Sequence, residues 1–272
     1  MTPQWQGLLQ NLGIWHGSFT QLSPDGVQGQ DTPSQVTLRL SEDEKTVFFS
    51  LQRDASTEVT LQFNYPGPGL QVPFFENGCF SQGSLQHAPY TQFGAEFALI
   101  EGDRRLRLVQ LFAQGTALTS LTLIRENRAG NSVQSPHLTV DALVGTWQGE
   151  AITLYADYRL PDITPTHLKV EREGDRLTQT LQFDSHTIQS SAQIKGNSLH
   201  FNEGAQPMQL VCLPGGASAL VPQQIEPRTP FVIETGWLVE PNLRKRMVRN
   251  YSDRGEWVSI TLVTERRNVS NT

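Results

Sequence analysis

The chain of 272 residues carries one passage twice, in register and without a gap. Arg105-Leu106-Arg107-Leu108-Val109 leads through a hairpin to Ser120-Leu121-Thr122-Leu123-Ile124-Arg125-Glu126-Asn127-Arg128. Arg244-Lys245-Arg246-Met247-Val248 leads in the same way to Ser259-Ile260-Thr261-Leu262-Val263-Thr264-Glu265-Arg266-Arg267. An earlier pair, Leu12-Gly13-Ile14-Trp15-His16-Gly17 and Val144-Gly145-Thr146-Trp147-Gln148-Gly149, opens each half. Matched openings and matched ends define two copies of one domain, each long enough to bury its own core. A polar stretch with Gly and Pro, residues 128–137, falls between them and reads as the linker. We therefore assign residues 1–130 and 138–272 to the two domains.

After a short amphipathic opening with Trp5, Leu8, Leu9 and Leu12 at near-helical spacing, the first copy becomes a run of short strands. The clearest are 35–40, 46–52, 57–63, 96–101, 105–112 and 117–126. Tyr65-Pro66-Gly67-Pro68-Gly69 is a turn or loop, because Pro lacks the donor a central strand needs. In the second copy, strands are expected at 167–173, 176–183, 187–194, 198–201, 208–212, 231–238, 243–251 and 256–266. Many short strands at such spacing mean a barrel or a sandwich. A Gly-x-Trp on the first strand and an Arg at the end of the last, present in both copies as Gly13-Ile14-Trp15 with Arg125 or Arg128 and Gly145-Thr146-Trp147 with Arg266 or Arg267, resemble the pattern of the calycin and lipocalin barrels. The resemblance implies an all-β chain of two tandem lipocalin-like (calycin) antiparallel β-barrels. In that family an Arg packs on the Trp face across the closed end, a cation–π contact worth about 0.5–2 kcal/mol.

Composition narrows the function. Hydrophobic residues make up 37% of the chain, and no apolar run approaches the roughly 20 residues of a membrane helix, so a soluble protein without a membrane span is expected. The opening Met1-Thr2-Pro3-Gln4-Trp5-Gln6 lacks the features of a secretory signal, which makes the cytoplasm the expected location. A net charge of −6 argues against a nucleic-acid partner. Cys79 and Cys212 sit in different halves and read as buried free thiols. His16, His87, His137, His167, His186 and His200 show no metal-ligand spacing, and no nucleophile elbow, phosphate loop or dinucleotide fingerprint is present. No catalytic residue and no metal ligand is assigned.

The last hairpin of each copy is the best candidate site. Side chains at i and i+2 share a strand face, so Arg244, Arg246, Val248, Ser259, Thr261, Glu265 and Arg267 point one way if the turn centres on Arg254-Gly255. That register sets Arg244 opposite Glu265. Arg105, Arg107, Val109, Ser120, Thr122, Glu126 and Arg128 hold the same positions in the first copy. Both copies keep the polar face and vary the apolar one. An inward Arg pair beside a Glu suits a small amphipathic ligand bearing carboxylates, each charged hydrogen bond being worth about 1.5–3 kcal/mol. The competing reading is an Arg–Glu ladder at the barrel rim that ties the closing strands together. Trp237 and Trp257 serve either as pocket lining or as core. The loop Pro73-Phe74-Phe75-Glu76-Asn77-Gly78 reads as a buried loop packed on the linker, with a lid or a partner contact as the alternative.

Gly236-Trp237-Leu238-Val239-Glu240-Pro241-Asn242-Leu243-Arg244-Lys245-Arg246, followed by Ser259 and Glu265-Arg266-Arg267, resembles the carboxy-terminal signature of the S-type phycobiliprotein chromophore lyases. Across the whole chain, Phe74-Phe75-Glu76-Asn77-Gly78-Cys79-Phe80-Ser81-Gln82-Gly83-Ser84, Phe93-Gly94-Ala95-Glu96 and Gly102-Asp103-Arg104-Arg105-Leu106-Arg107 are similar to a cyanobacterial and plastid family of tandem calycin domains with no activity to carry over. The lyase resemblance implies a bilin or other tetrapyrrole ligand, with propionates on Arg244 and Arg246 and pyrrole nitrogens near Glu265. It also implies a phycobiliprotein or photosynthetic complex subunit as partner. Lys245 in place of an apolar residue, and two barrels in place of one, depart from the lyase pattern. The alternative function is a scaffold or assembly factor. A covalent lyase reaction ranks third, since no nucleophile stands out.

Overall fold

Period-two alternation over most of the chain gives a molecule built almost wholly of antiparallel strands. The computed structural model describes residues 1–54, 57–128 and 136–268. Residues 129–135, most of the expected linker, lie outside the described residues. A seven-residue helix α1 (Pro3–Leu9) opens the chain, capped by the Thr2 hydroxyl, which accepts from Trp5 N. Eight strands follow in the first half: β1 (Gly13–Leu22), β2 (Gln28–Leu40), β3 (Thr46–Arg53), β4 (Thr57–Asn64), β5 (Phe80–Gly83), β6 (Phe93–Glu101), β7 (Arg104–Phe112) and β8 (Ser120–Asn127). The second half carries β9 (Gly145–Tyr155), β10 (Asp162–Glu173), β11 (Arg176–Phe183), β12 (His186–Lys195) and β13 (Ser198–Phe201). It continues with β14 (Met208–Cys212), β15 (Ala217–Pro222), β16 (Phe231–Glu240), β17 (Leu243–Tyr251) and β18 (Trp257–Arg267). No helix among the described residues is long and apolar enough to cross a membrane.

The chain folds as two compact units. The first comprises Met1–Ser84, Gly94–Leu111 and Ser120–Gln134. The second comprises Leu85–Phe93, Phe112–Thr119 and Ser135–Thr272. The inclusion of two short segments from the first half in the second unit has a local cause. Trp257 N donates to Leu85 O at 2.8 Å, His87 N to Gly255 O at 2.7 Å and Ile225 N to Thr116 O at 2.6 Å. The His87 ring meets Phe93 and Phe231 edge-on, and Phe93 meets Tyr251.

The second unit is a closed ten-stranded barrel, β9 through β18 in order, with β18 hydrogen-bonded to β9 from Arg267↔Trp147 to Ser259↔Tyr155. Closure leaves no sheet edge exposed. Its core gathers Leu143, Trp147, Leu168, Leu177 and Leu199. In the first unit the opening and closing strands also pair, β1 with β8. That sheet nevertheless runs β4-β3-β2-β1-β8-β7-β6-β5 and is not closed. This corrects the expectation of two closed barrels.

The two copies diverge at one stretch. β12 and β15 of the second unit are bridged by β13 and β14, whereas the equivalent stretch of the first, residues 65–79, contains Pro66, Pro68 and Pro73 and cannot supply the ladder donors. This segment instead packs on α1: Gln4 Nε2 donates to Phe74 O at 3.1 Å, and Phe74 N donates back to Gln4 Oε1 at 2.8 Å. Gly7 leaves room for the Phe75 carbonyl, which a Cβ would meet at 2.4 Å. Phe74 and Phe75 are buried, as expected, but the loop packs on α1, whereas the expectation placed it on the linker, most of which lies outside the described residues.

Candidate functional site

The two opening motifs build the same assembly. Trp15 and Trp147 are fully buried, and their indole N–H groups donate to the backbone oxygens of Asn11 at 2.9 Å and Leu143 at 3.0 Å. Two guanidinium groups lie against each ring: Arg105 at 4.2 Å and Arg128 at 4.3 Å from the Trp15 centroid, Arg244 at 4.6 Å and Arg267 at 4.5 Å from that of Trp147. The terminal Arg is thus Arg128 and Arg267 in the respective copies. Arg267 also donates from Nη2 to Ala142 O, so its role is to staple the barrel's end.

One residue past each Trp-x, a second glycine sets the depth of the buried carboxylate. A Cβ on Gly17 would lie 2.9 Å from Glu126 Cγ and 2.0 Å from Arg125 O. A Cβ on Gly149 would lie 2.8 Å from Glu265 Cβ and 2.1 Å from Thr264 O. The expected hairpin register is the one observed, with Arg105↔Glu126 and Arg244↔Glu265 directly opposed. In the first unit Arg105 Nε and Arg107 Nε both donate to Glu126 Oε2, at 2.7 and 2.9 Å, and Arg107 Nη1 reaches Glu96 Oε1 at 2.7 Å. In the second, Arg244 Nε and Arg246 Nε both donate to Glu265 Oε1, at 2.5 and 2.9 Å, and Arg246 Nη1 reaches Glu234 Oε2 at 3.3 Å. Arg244 is 6% and Glu265 1% exposed, which excludes the solvent-exposed rim ladder.

Charge is unevenly compensated within each cluster. Burial opposes ionisation of Glu126, but Arg105 and Arg107 outweigh it and hold the carboxyl down at about 2. Glu265 is depressed for the same reason, against the same burial. Arg107 and Arg246 each face two carboxylates, which outdo burial and raise them above the ordinary arginine range. Arg105 and Arg244 are pulled below that range by burial, with Glu126 and Glu265 offsetting only part of it. The copies differ in how they treat this weaker cation. Arg105 Nη1 donates to the Asn11 side chain at 3.0 Å. The position equivalent to Asn11 in the second copy is Leu143, which has no polar side chain, and Arg244 Nη2 is buried with no hydrogen-bond partner among the described residues.

Arg244 stands at the wall of a hollow of about 630 Å3 in the second unit. Leu168, Val170, Leu177, Leu199, Leu210 and Leu220 provide apolar wall, while Arg244, Arg246 and Glu234 form a charged patch, with Gln179, Ser190 and Asn250 also lining it. The volume lies within the range of small-molecule pockets. A hollow of about 630 Å3 on the first unit is lined instead by Gln35, Thr37, Arg39 and facing residues of β3 and β4, without Arg105, Arg107 or Glu126. Among the described residues, no group of three or more His, Cys, Asp or Glu is placed to hold a metal ion.

The chain is similar to a protein with unknown function from Nostoc punctiforme whose crystal structure is known: identity is 44%, 98% of this chain and 100% of that one are covered, and the TM-score is 0.92. The chain belongs to the DUF3598 family. Residues 1–131 match the N-terminal DUF3598 domain of unknown function, and residues 134–268 match the C-terminal domain of biogenesis factor required for ATP synthase 1. An S-type phycobiliprotein lyase from Guillardia theta is a remote likeness, 14% identical, with a TM-score of 0.38 over 48% of this chain and 91% of that one. No curated protein matches.

Within this DUF3598 chain the sequence-predicted residues separate into three groups. Arg244 and Arg246 line the hollow, and Glu265 ties them together from behind. Ser259 accepts from Asn250 Nδ2 at 3.0 Å, and Thr261 shares a hydrogen bond with Thr153 at 2.9 Å, so both brace the wall and do not line it. Trp237 is a correction: it pairs with Lys245, on the strand face opposite Gly236 and Arg246, and so is turned away from the hollow. Trp257 lies under Arg249 at 4.9 Å. Glu96 and Glu234, the second carboxylates, were not predicted as site residues. Their signal was present in the sequence, since each stands two strands from its Glu partner in the order set by the repeat.

Proposed function

We propose that the second barrel is a lipocalin-like carrier that binds an amphipathic small molecule, with an acceptor oxygen of the ligand at Arg244 and its apolar body along the leucine-rich wall. The single observation that carries this reading is that Arg244, whose Nη2 is buried without a hydrogen-bond partner among the described residues, is a wall residue of a mostly apolar hollow. A buried donor without an acceptor costs about 1–3 kcal/mol, and a bound carboxylate or carbonyl would recover that cost. Arg246 is already held by Glu265 and Glu234, so Arg244 is the anchor and Arg246 its support. The paired guanidinium groups on Trp147 and the closed first-to-last strand pairing support the lipocalin-like assignment.

A bilin or another tetrapyrrole is the ligand class we put forward, because the segment from Gly236 to Arg267 resembles the chromophore lyases. A phycobiliprotein would then receive the cargo. The test is absorbance titration of the purified protein with a linear tetrapyrrole. A red shift and saturation are expected, with loss of both in Arg244→Leu; an unshifted spectrum, or a shift indifferent to that substitution, refutes the reading.

A second reading has its own support. The match of residues 134–268 to the C-terminal domain of an ATP synthase biogenesis factor favours a scaffold acting in assembly of a photosynthetic or energy-transducing complex. Capture of such subunits by a protein whose hollow is empty, unaffected by Arg244→Leu, would favour it over the carrier.

A further inference from the structure

Strand β4 ends the sheet of the first unit and, among the described residues, has a single neighbour, β3. Its side chains alternate, with Glu58, Thr60, Gln62 and Asn64 on one face and Val59, Leu61 and Phe63 on the other. Val59 is 39% and Leu61 51% exposed, while Phe63 is partly covered by the ring of Phe49. Sheet edges are ordinarily protected by Pro, Lys, a bulge or shortness. β4 has no Pro, no Lys and no bulge, its register with β3 running unbroken from Thr46↔Asn64 to Arg53↔Thr57, and Glu58 is its one charged residue.

The sequence of the strand selects its partner. Residues directly opposed in an antiparallel pair share a face. Laid against itself with a two-fold axis through Leu61, β4 sets Leu61 opposite Leu61, Val59 opposite Phe63, Thr60 opposite Gln62 and Glu58 opposite Asn64. All three apolar side chains then meet apolar ones. Glu58, the charged residue of the strand, meets a neutral amide and avoids its own copy. An axis between Thr60 and Leu61 would set Leu61 against Thr60, Val59 against Gln62 and Phe63 against Glu58, apolar against polar at each of the three apolar residues. An axis through Thr60 would leave Phe63 facing Thr57.

We propose that β4 is a self-association edge, on which two copies of this chain pair antiparallel about a two-fold axis at Leu61 and continue the eight-stranded sheet from one copy into the next. Backbone donors and acceptors along the edge supply the contact, as in other strand additions, and the isologous geometry closes at two copies. One strand pair is a small interface, so the dimer is weak and concentration-dependent.

Sedimentation velocity of the full chain across the micromolar range tests this. Reversible monomer–dimer exchange is expected, and Leu61→Lys should weaken it roughly tenfold or more while leaving circular dichroism and the melting profile unchanged. Leu61→Cys provides the second arm. Opposed Cα atoms about 4.5–5.5 Å apart lie within disulfide range, and Cys79 and Cys212 are buried and do not compete. Oxidation should link Leu61→Cys chains into a covalent dimer and leave Thr60→Cys chains single. A monomer at every concentration, a dimer indifferent to Leu61→Lys, or equal cross-linking of the two cysteine variants would overturn the proposal.

Discussion

Exchange of Glu265 for Gln keeps the shape and one acceptor oxygen while removing the charge that Arg244 and Arg246 share. Two short bonds, at 2.5 and 2.9 Å, converge on Glu265 Oε1. Turning a charged acceptor into a neutral one lowers each from about 1.5–3 to about 0.5–1.5 kcal/mol, a loss of about 2 kcal/mol for the pair. Arg246 keeps Glu234, but Arg244 loses its one direct carboxylate partner among the described residues, and uncompensated buried charge brings the total to about 3–5 kcal/mol. Urea unfolding followed by circular dichroism reads this as a lower midpoint at constant slope. Adding Arg244→Met to Glu265→Gln should cost less than the sum of the two single changes, by on the order of 1–3 kcal/mol. A loss below about 1 kcal/mol with strictly additive single changes would refute the reasoning, because that is the behaviour of a solvent-screened pair.

Glu126 ionises at about 2 in the folded chain against an ordinary 4.5, so its contribution of about 3 kcal/mol is complete above pH 4.5 and is lost as pH falls toward 2. Unfolding free energies that stay flat across that window would contradict the assignment. Gly149→Ala drives a Cβ to within 2.1 Å of Thr264 O and should cost about 3 kcal/mol or prevent folding, while Gly29→Ala, whose Cβ would meet nothing nearer than 3.5 Å, should cost far less; equal melting temperatures for the two would contradict the packing. Burial pushes the Cys212 thiol up to about 12, so native protein near neutral pH should not react with a thiol reagent at this position until unfolded, as mass spectrometry of the labelled peptide would report. Trp237→Phe should leave ligand affinity unchanged, since Trp237 lies on the face away from the hollow; a large loss would reverse that placement.

The parts of the fold that were legible in the sequence are those in which both copies obey the same constraint. Gly-x-Trp-x-Gly is readable because the ring needs room and the second glycine admits the carboxylate, and Arg244 opposite Glu265 follows from strand parity alone. Closure of the first sheet was not legible, because strand alternation stops at Tyr65 without saying whether further strands replace it. β5 and β15 were missed since Phe80-Ser81-Gln82-Gly83 and Ala217-Ser218-Ala219-Leu220-Val221-Pro222 are short or rich in small residues. The placement of 85–93 in the second unit rests on backbone bonds to Gly255 and Trp257 that no local pattern encodes. The difference that singles out Arg244 is one substitution in the aligned repeat, Asn11 in one copy against Leu143 in the other. It is plain in the amino-acid sequence, but it acquires meaning only from the guanidinium that folding brings beside it.

The most direct measurement is native mass spectrometry of the protein isolated from its own source, beside the Arg244→Leu form prepared identically. A carrier should show a stoichiometric non-covalent adduct of small-molecule mass on the first and none on the second. A bare polypeptide mass for both, with the leucine-lined hollow holding nothing, would contradict it.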